Sequence, residues 1–373
     1  METSMGGRMM TERERVLSIL HGKAPDRVPW LGDLAYWIPY ALKSGIIDPA
    51  YAGDGLYRLH RDLGLGFYLQ GYFPFEGEAE NVDVVRTVAG ATITTQWQTP
   101  VGTLRQVETE LPASYTVATR EHMIKNINDL KTYVYIEEHT TYRQNYELAA
   151  RRRDLVGDNG AVLCYLPKSP YMELVALRAG IMSVVDMIGD DPDEFEECLD
   201  RLEVCADRAA RLAVDSPAEF LMIPENISSE VVGKRPYHSY MERYQKKWFR
   251  AIKAAGKVSF VHMDGTMRGL LREVSEAGVA VMEALTPAPT GDIEIEDLHN
   301  WAPAETVLWG GIPGAYFTDN VSDAKFDEYV KRVLDTWTTA PRYVLGVADQ
   351  VPPYSRPERI MRVRTLVDRY GAY

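Results

Sequence analysis

Three cysteines in 373 residues are too few, and too widely placed, for a disulfide framework or a CxxC site. Cys198 and Cys205 fall seven apart on a predicted helix, where filling the core is their expected role, and Cys164 stands alone. No run approaches the ~20 apolar residues of a membrane span. The opening METSMGGRMMTERER lacks the apolar core of a signal peptide. Basic residues are in deficit, 41 Lys and Arg against 54 Asp and Glu, and the net charge of −13 argues against nucleic acid or an anionic membrane as partner. The expectation from these absences is a cytoplasmic protein.

What is present is apolar material, 46% of the chain, in a regular alternation of strand-like and helix-like segments. The stretch VSFVHMDGTMRGLLREVSEAGVAVME, residues 258–283, shows the pattern. Val258 to Val261 read as a buried strand that ends in His262-Met263-Asp264-Gly265. A helix follows, with Met267, Leu270, Leu271 and Val274 at helical spacing, and it stops at Gly278. A second apolar run ends in Glu283. Strands of this kind are expected near residues 28, 65, 161, 218, 258, 279, 306 and 342, separated mostly by helices, including one across 128–152. Thr11 with Glu14, and Ser355 with Glu358, read as capping boxes for the first and last helices. The length and the alternation predict an α/β fold, a single (β/α)8 TIM barrel spanning 1–373. Residues 82–120 break the rhythm. They alternate and are rich in Val and Thr, with turns at Ala89-Gly90 and Pro100-Val101-Gly102, so a small antiparallel β insertion near the barrel mouth is expected.

In parallel α/β proteins ligands bind beyond the carboxyl ends of the strands. The polar residues predicted there are Asp33, Gln70, Lys168, Glu225, Asn226, His262, Asp264, Glu283, Asp349 and Gln350. His262 and Asp264 are two apart on an extended segment, so both side chains face one way. With Glu283 and Asp349 they make an imidazole-and-carboxylate set competent for zinc; hydrogen bonds to loops are the alternative use. Glu225 and Asn226 are candidates for acid/base work or substrate orientation, against capping of the next loop. Lys168 is a candidate for an anionic group, and Asp33 for substrate. Tyr68, Tyr72, Phe73, Phe75 and Trp97 read as an aromatic pocket or a satellite core.

The segments TERERVLSILHGKAPDRVPW, SFVHMDGTMRGLLREVSEAGVAVMEAL and GVADQVPPYSRPERIMRVRTLVDRYG resemble the uroporphyrinogen decarboxylase-like superfamily, in order and across nearly the whole chain. The resemblance implies a (β/α)8 barrel. With TPVGTLRQ in the inserted segment, the chain is similar to the cobalamin-dependent methyltransferase branch. The arginine-rich segment of the decarboxylase branch is replaced by WLGDLAYWIPY, which has no arginine. What the resemblance implies is an O-demethylase type of methyltransferase, moving a methyl group from a small methoxylated, aromatic donor to a corrinoid on a partner protein. It places His262 on a zinc-binding His, Asp264 where the branch has a Cys, Glu283 on its Glu and Asp349 near its last Cys. With both cysteines missing, an oxygen-rich site would polarise an ether oxygen rather than activate a thiol. The catalytic set is then His262, Asp264 and Glu225, with Asp33, Tyr72, Phe73, Lys168 and Asn226 binding substrate. A decarboxylase-type lyase, with Lys168 or Arg235 holding the carboxylate, and a non-catalytic corrinoid or tetrapyrrole binder remain alternatives. A homodimer is compatible with all three.

Overall fold

The computed structural model describes residues 8–68 and 72–373, and of Tyr68 the backbone alone. Two of the expected positions, Gln70 and the Tyr68 side chain, therefore lie outside the described residues. Six parallel strands form the main sheet: Leu163–Tyr165, Phe220–Ile227, Val258–Met263, Val281–Leu285, Val307–Pro313 and Tyr343–Ala348, neighbours in sequence order. Parallel pairing continues beyond both edges in shorter pieces. Phe67 pairs with Gly160, Leu31 bridges to Gly66, and Trp30 and Asp33 bridge to Leu345 and Gln350. The whole is a distorted, TIM-barrel-like α/β fold carrying antiparallel sheets beside the parallel one.

The strand side chains divide by parity, as the pleat requires. Leu31, Leu163, Phe220, Met222, Phe260, Val281, Val307, Trp309 and Val344 pack into one buried inner cluster, sealed by Val16 and Ile19 of the first helix. The alternate residues, among them Leu221, Ile223, Val261, Met263 and Met282, face the helices in the larger core. These strands are apolar on both faces because both faces are covered. The helix Asp323–Trp337 buries Phe326, Tyr329, Val330, Val333, Leu334 and Trp337 and is capped by Ser322, whose hydroxyl accepts from the Lys325 N–H.

Several elements depart from expectation. The segment 128–152 is not one helix. It is the helix Ile127–Glu138, the strand Thr140–Gln144 and the helix Glu147–Val156. The β-prone Thr140-Thr141-Tyr142 pairs antiparallel with Phe75–Ala79, a gain that sequence-local propensity does not see. The helix after His262 is short, Leu271–Glu276, and the Met267 and Arg268 N–H groups before it are taken by Asp292. The strand expected to end at Gly310-Gly311 runs on to Pro313; Gly311 (φ +108) leaves the room in which the Tyr343 hydroxyl donates to the Gly310 carbonyl at 2.8 Å. Thr11 and Glu14 do form a capping box. The last helix instead starts at Pro357 with Arg356 at its cap, one residue past Ser355.

Residues 83–121 form a four-stranded antiparallel meander, Asp83–Ala89, Thr92–Thr99, Gly102–Leu111 and Thr116–Glu121. The turn between its last two strands reaches the loop that follows Tyr343–Ala348. There the Tyr354 hydroxyl donates to the Ala113 carbonyl at 3.1 Å, and Tyr40 lies against both Tyr115 and Tyr354.

Candidate active site

His262 continues the inward row that begins at Phe260, and Glu283 continues the row that begins at Val281. The two are directly paired across neighbouring strands. Their side chains meet, with Nδ1 of His262 2.7 Å from Oε2 of Glu283, in a place where the imidazole side chain is 7% and the glutamate side chain 0% exposed. Burial by itself would push His262 down. The charge and hydrogen bond of Glu283, with the charges of Asp264 and Asp349, outweigh it and raise the imidazole to about 9. At neutral pH both ring nitrogens then carry protons. Nδ1 donates to Glu283. Nε2 points toward Oδ1 of Asp349, 3.8 Å away and beyond hydrogen-bond reach.

Asp33 enters from the first strand segment. Its Oδ1 accepts the Ala35 N–H at 2.7 Å, and its buried Oδ2 has no partner among the described residues. Burial, and after the Ala35 hydrogen bond the Asp349 and Glu283 charges, set its carboxyl at about 7. Asp349 is likewise raised by desolvation, opposed by His262 and reinforced by Asp264 and Glu283. Its side chain is 42% exposed and so opens this acidic nest to solvent. Tyr36, which sequence reasoning missed, stands at the same mouth. Its phenol is raised by burial and by the Asp349 and Asp33 charges.

Three strand ends here carry non-glycine residues in the left-handed region: Asn226 (φ +56), Ala284 (φ +62) and Asp349 (φ +68). Each costs on the order of 1–2 kcal/mol. Such strain persists where the surroundings fix it, and of the three Asp349 belongs to the acidic nest itself.

The site also answers for its expected metal. His262, Asp264, Glu283 and Asp349 were expected to hold zinc. Glu283 is instead turned onto Nδ1 of the imidazole, the place of an orienting partner rather than a ligand. Among the described residues no three His, Cys, Asp or Glu side chains form a group that could hold a metal ion. The residues as placed do not fit a zinc centre.

The remaining expected residues part company with this cleft. Glu225 lies on the opposite parity from Phe220 and Met222 and so faces the helix layer. It is fully buried there, accepting from the Ser169 N–H (3.1 Å), the Ser169 hydroxyl (3.0 Å) and the Gln245 amide (3.2 Å). Burial raises its carboxyl, against these hydrogen bonds and the Lys168 charge. Asn226 is exposed. Lys168 donates to the Pro224 carbonyl and, with Phe73 and Phe75, lines a separate cavity. Tyr72 packs into the core with its hydroxyl on the Asn145 carbonyl, and Trp97 packs against the same core from the meander. All three cysteines are buried.

The family model described as Uroporphyrinogen decarboxylase (URO-D) matches residues 120–370. The chain belongs to this family. The URO-D match spans every strand of the six-stranded sheet, and with it His262, Glu283 and Asp349. Among solved structures, a methyltransferase from Methanosarcina mazei superposes with a TM-score of 0.62 at 14% identity, covering 97% of this chain and 99% of that one. At that identity the likeness shows the fold. The GH18 chitinase ChiB of Flavobacterium johnsoniae is far less similar, at a TM-score of 0.35 and 10% identity over 61% of this chain and 82% of its own. No curated protein matches the chain. No helix among the described residues is long and apolar enough to cross a membrane.

Proposed function

We propose that this URO-D family member is a methyltransferase that takes a methyl group from a small methoxylated aromatic donor and delivers it to a corrinoid carried by a partner protein. We also read the fold as a closed (β/α)8 barrel, supported by the bridges that link Trp30, Leu31 and Asp33 to the strands on either side. The observation that carries the functional reading is the buried His262–Glu283 pair, aimed with one ring N–H uncommitted into an acidic cleft at the strand ends.

An aryl ether leaves poorly as its anion, so the broken C–O bond needs a proton at the oxygen. His262 supplies it from Nε2. Glu283 holds the ring in place through Nδ1 and keeps it charged at neutral pH. Asp33 and Asp349, both raised, hold or return a proton beside it. The corrinoid, when docked by its partner, supplies the nucleophile for the methyl carbon. The similarity of fold to a methyltransferase supports this direction.

The test is phenol release from an aromatic methyl ether in the presence of a reduced corrinoid protein. Release should require that protein and should fall at least a hundredfold in His262→Ala. In Glu283→Gln the imidazole loses its charged partner, so the alkaline limb of the rate profile should move down from about pH 9 by two units or more. An unmoved limb would remove His262 as the acid. The second reading, a decarboxylase-type lyase, is favoured by the family description itself. Carbon dioxide release from an aryl acid without any corrinoid would select it.

A further inference from the structure

The cavity that Lys168 shares with Phe73 combines aromatic and charged side chains, and it includes none of the His262 cluster. It encloses about 290 Å³ between the helices Ile127–Glu138 and Pro192–Asp215, the small sheet of Phe75–Ala79 with Thr140–Gln144, and the loop Pro167-Lys168. Leu177, Leu202, Ala206 and Ala209 contribute apolar surface to the lining. The mouth carries Phe73, which is 41% exposed and lies edge-on to Phe75 at 5.4 Å; Phe75 in turn is perpendicular to Tyr142 at 5.8 Å. Rings set edge-to-face in this way receive a further ring in the same geometry.

The charged groups in the lining decide the rest. Glu173 is engaged by Arg178 at 2.8 Å, and the Arg178 guanidinium also lies over the Tyr133 ring at 5.6 Å. Glu137 accepts from the Tyr142 hydroxyl at 2.8 Å. Lys168 differs: its ammonium donates to the Pro224 carbonyl, and the Glu225, Glu173 and Asp264 charges act on it, but among the described residues it closes no ion pair within 4.0 Å. An ammonium has three donors, so two remain. One lysine suits a single carboxylate. A phosphate dianion needs more cations than the cavity offers, since Arg178 is already engaged by Glu173. A volume of this size stands at the small end of ligand pockets.

We propose that this cavity binds a small aromatic monocarboxylate, with the ring among Phe73, Phe75 and Tyr142 and the carboxylate on Lys168. The proposal is independent of the methyl-transfer reading, because the two sites share no residue.

The experiment is calorimetric titration of the whole chain with benzoate and with benzamide, its neutral isostere. Benzoate is expected to bind at least tenfold more tightly than benzamide. Lys168→Met should weaken benzoate tenfold or more, and Ala206→Phe, which fills the cavity without altering a charge, should abolish binding. His262→Ala should bind benzoate as the unaltered chain does. Melting curves of each variant establish that it is folded, and the Ala206→Phe result stands if Lys168→Met does not fold. Absence of benzoate binding at 10 mM overturns the proposal. So does equal binding of benzamide, binding indifferent to both cavity variants, or binding lost in His262→Ala.

Discussion

At the residue scale the cleft is a contest between burial and charge. His262 and Asp33 are both held above their ordinary values, for different reasons: His262 by a bonded carboxylate, Asp33 by desolvation among other acids. Both therefore cost stability as pH rises. A carboxyl near 3.8 when unfolded and about 7 when folded contributes its full share below about pH 4 and loses it as pH rises through 7. Asp33→Asn keeps the oxygen that accepts from Ala35 and cannot ionise. The variant should melt several degrees higher than the parent at pH 8, on the order of 2–4 kcal/mol, and the difference should vanish near pH 4. An equal difference at both pH values would show that ionisation is not its source. The gain should come with lost activity, since a strained acidic cleft is the kind of site where function and stability oppose each other.

At the element scale, parity along a strand decides which polar residue meets which neighbour. Glu225 shares the strand Phe220–Ile227 with the inward row of Phe220 and Met222, yet its odd position turns it onto the Ser169 cap and Gln245. Its expected role as an acid/base is in tension with three hydrogen bonds that already occupy it. Glu225→Ala would leave the Ser169 and Gln245 donors buried without an acceptor, a loss of about 3–5 kcal/mol by urea unfolding. A loss under about 1 kcal/mol would return Glu225 to the catalytic candidates. This parity was available in the sequence: counting in twos from Phe260 to His262 and Asp264, and from Phe220 to Met222, separates the two sets. The partners Ser169 and Gln245 were not, because they arrive from segments about 56 and 20 residues away along the chain.

At the scale of the whole molecule, the parallel sheet and the meander of residues 83–121 are separate hydrogen-bonded ladders. No strand of one pairs with a strand of the other. The first and last meander strands lie three strand spacings apart, roughly 14 Å, so a flexible joint of about eight residues can replace 83–120. The shortened chain should keep a single cooperative melt by far-ultraviolet circular dichroism. It should melt lower by several degrees, since Leu104 and the Tyr115–Tyr40 contact are lost from the main body. Loss of cooperative melting would show the meander to be part of the core.

The sequence by itself determined the α/β class of fold, the inserted antiparallel segment, and the candidacy of His262, Glu283, Asp349 and Asp33. All of these follow from local period, turn chemistry and the rule that ligands meet strand ends, and none needs a distant partner. Tertiary structure alone decided the contacts that join distant segments. It divided 128–152 around a strand because Phe75–Ala79 lay ready to pair with it. It turned Glu283 onto the imidazole rather than outward as a metal ligand. It also set Phe73, Tyr142, Lys168 and Leu202 around one cavity although they span some 130 residues of chain. Hydrogen bonds and ring contacts act over a few ångströms in space, and sequence spacing carries no measure of that distance beyond the next turn or pleat.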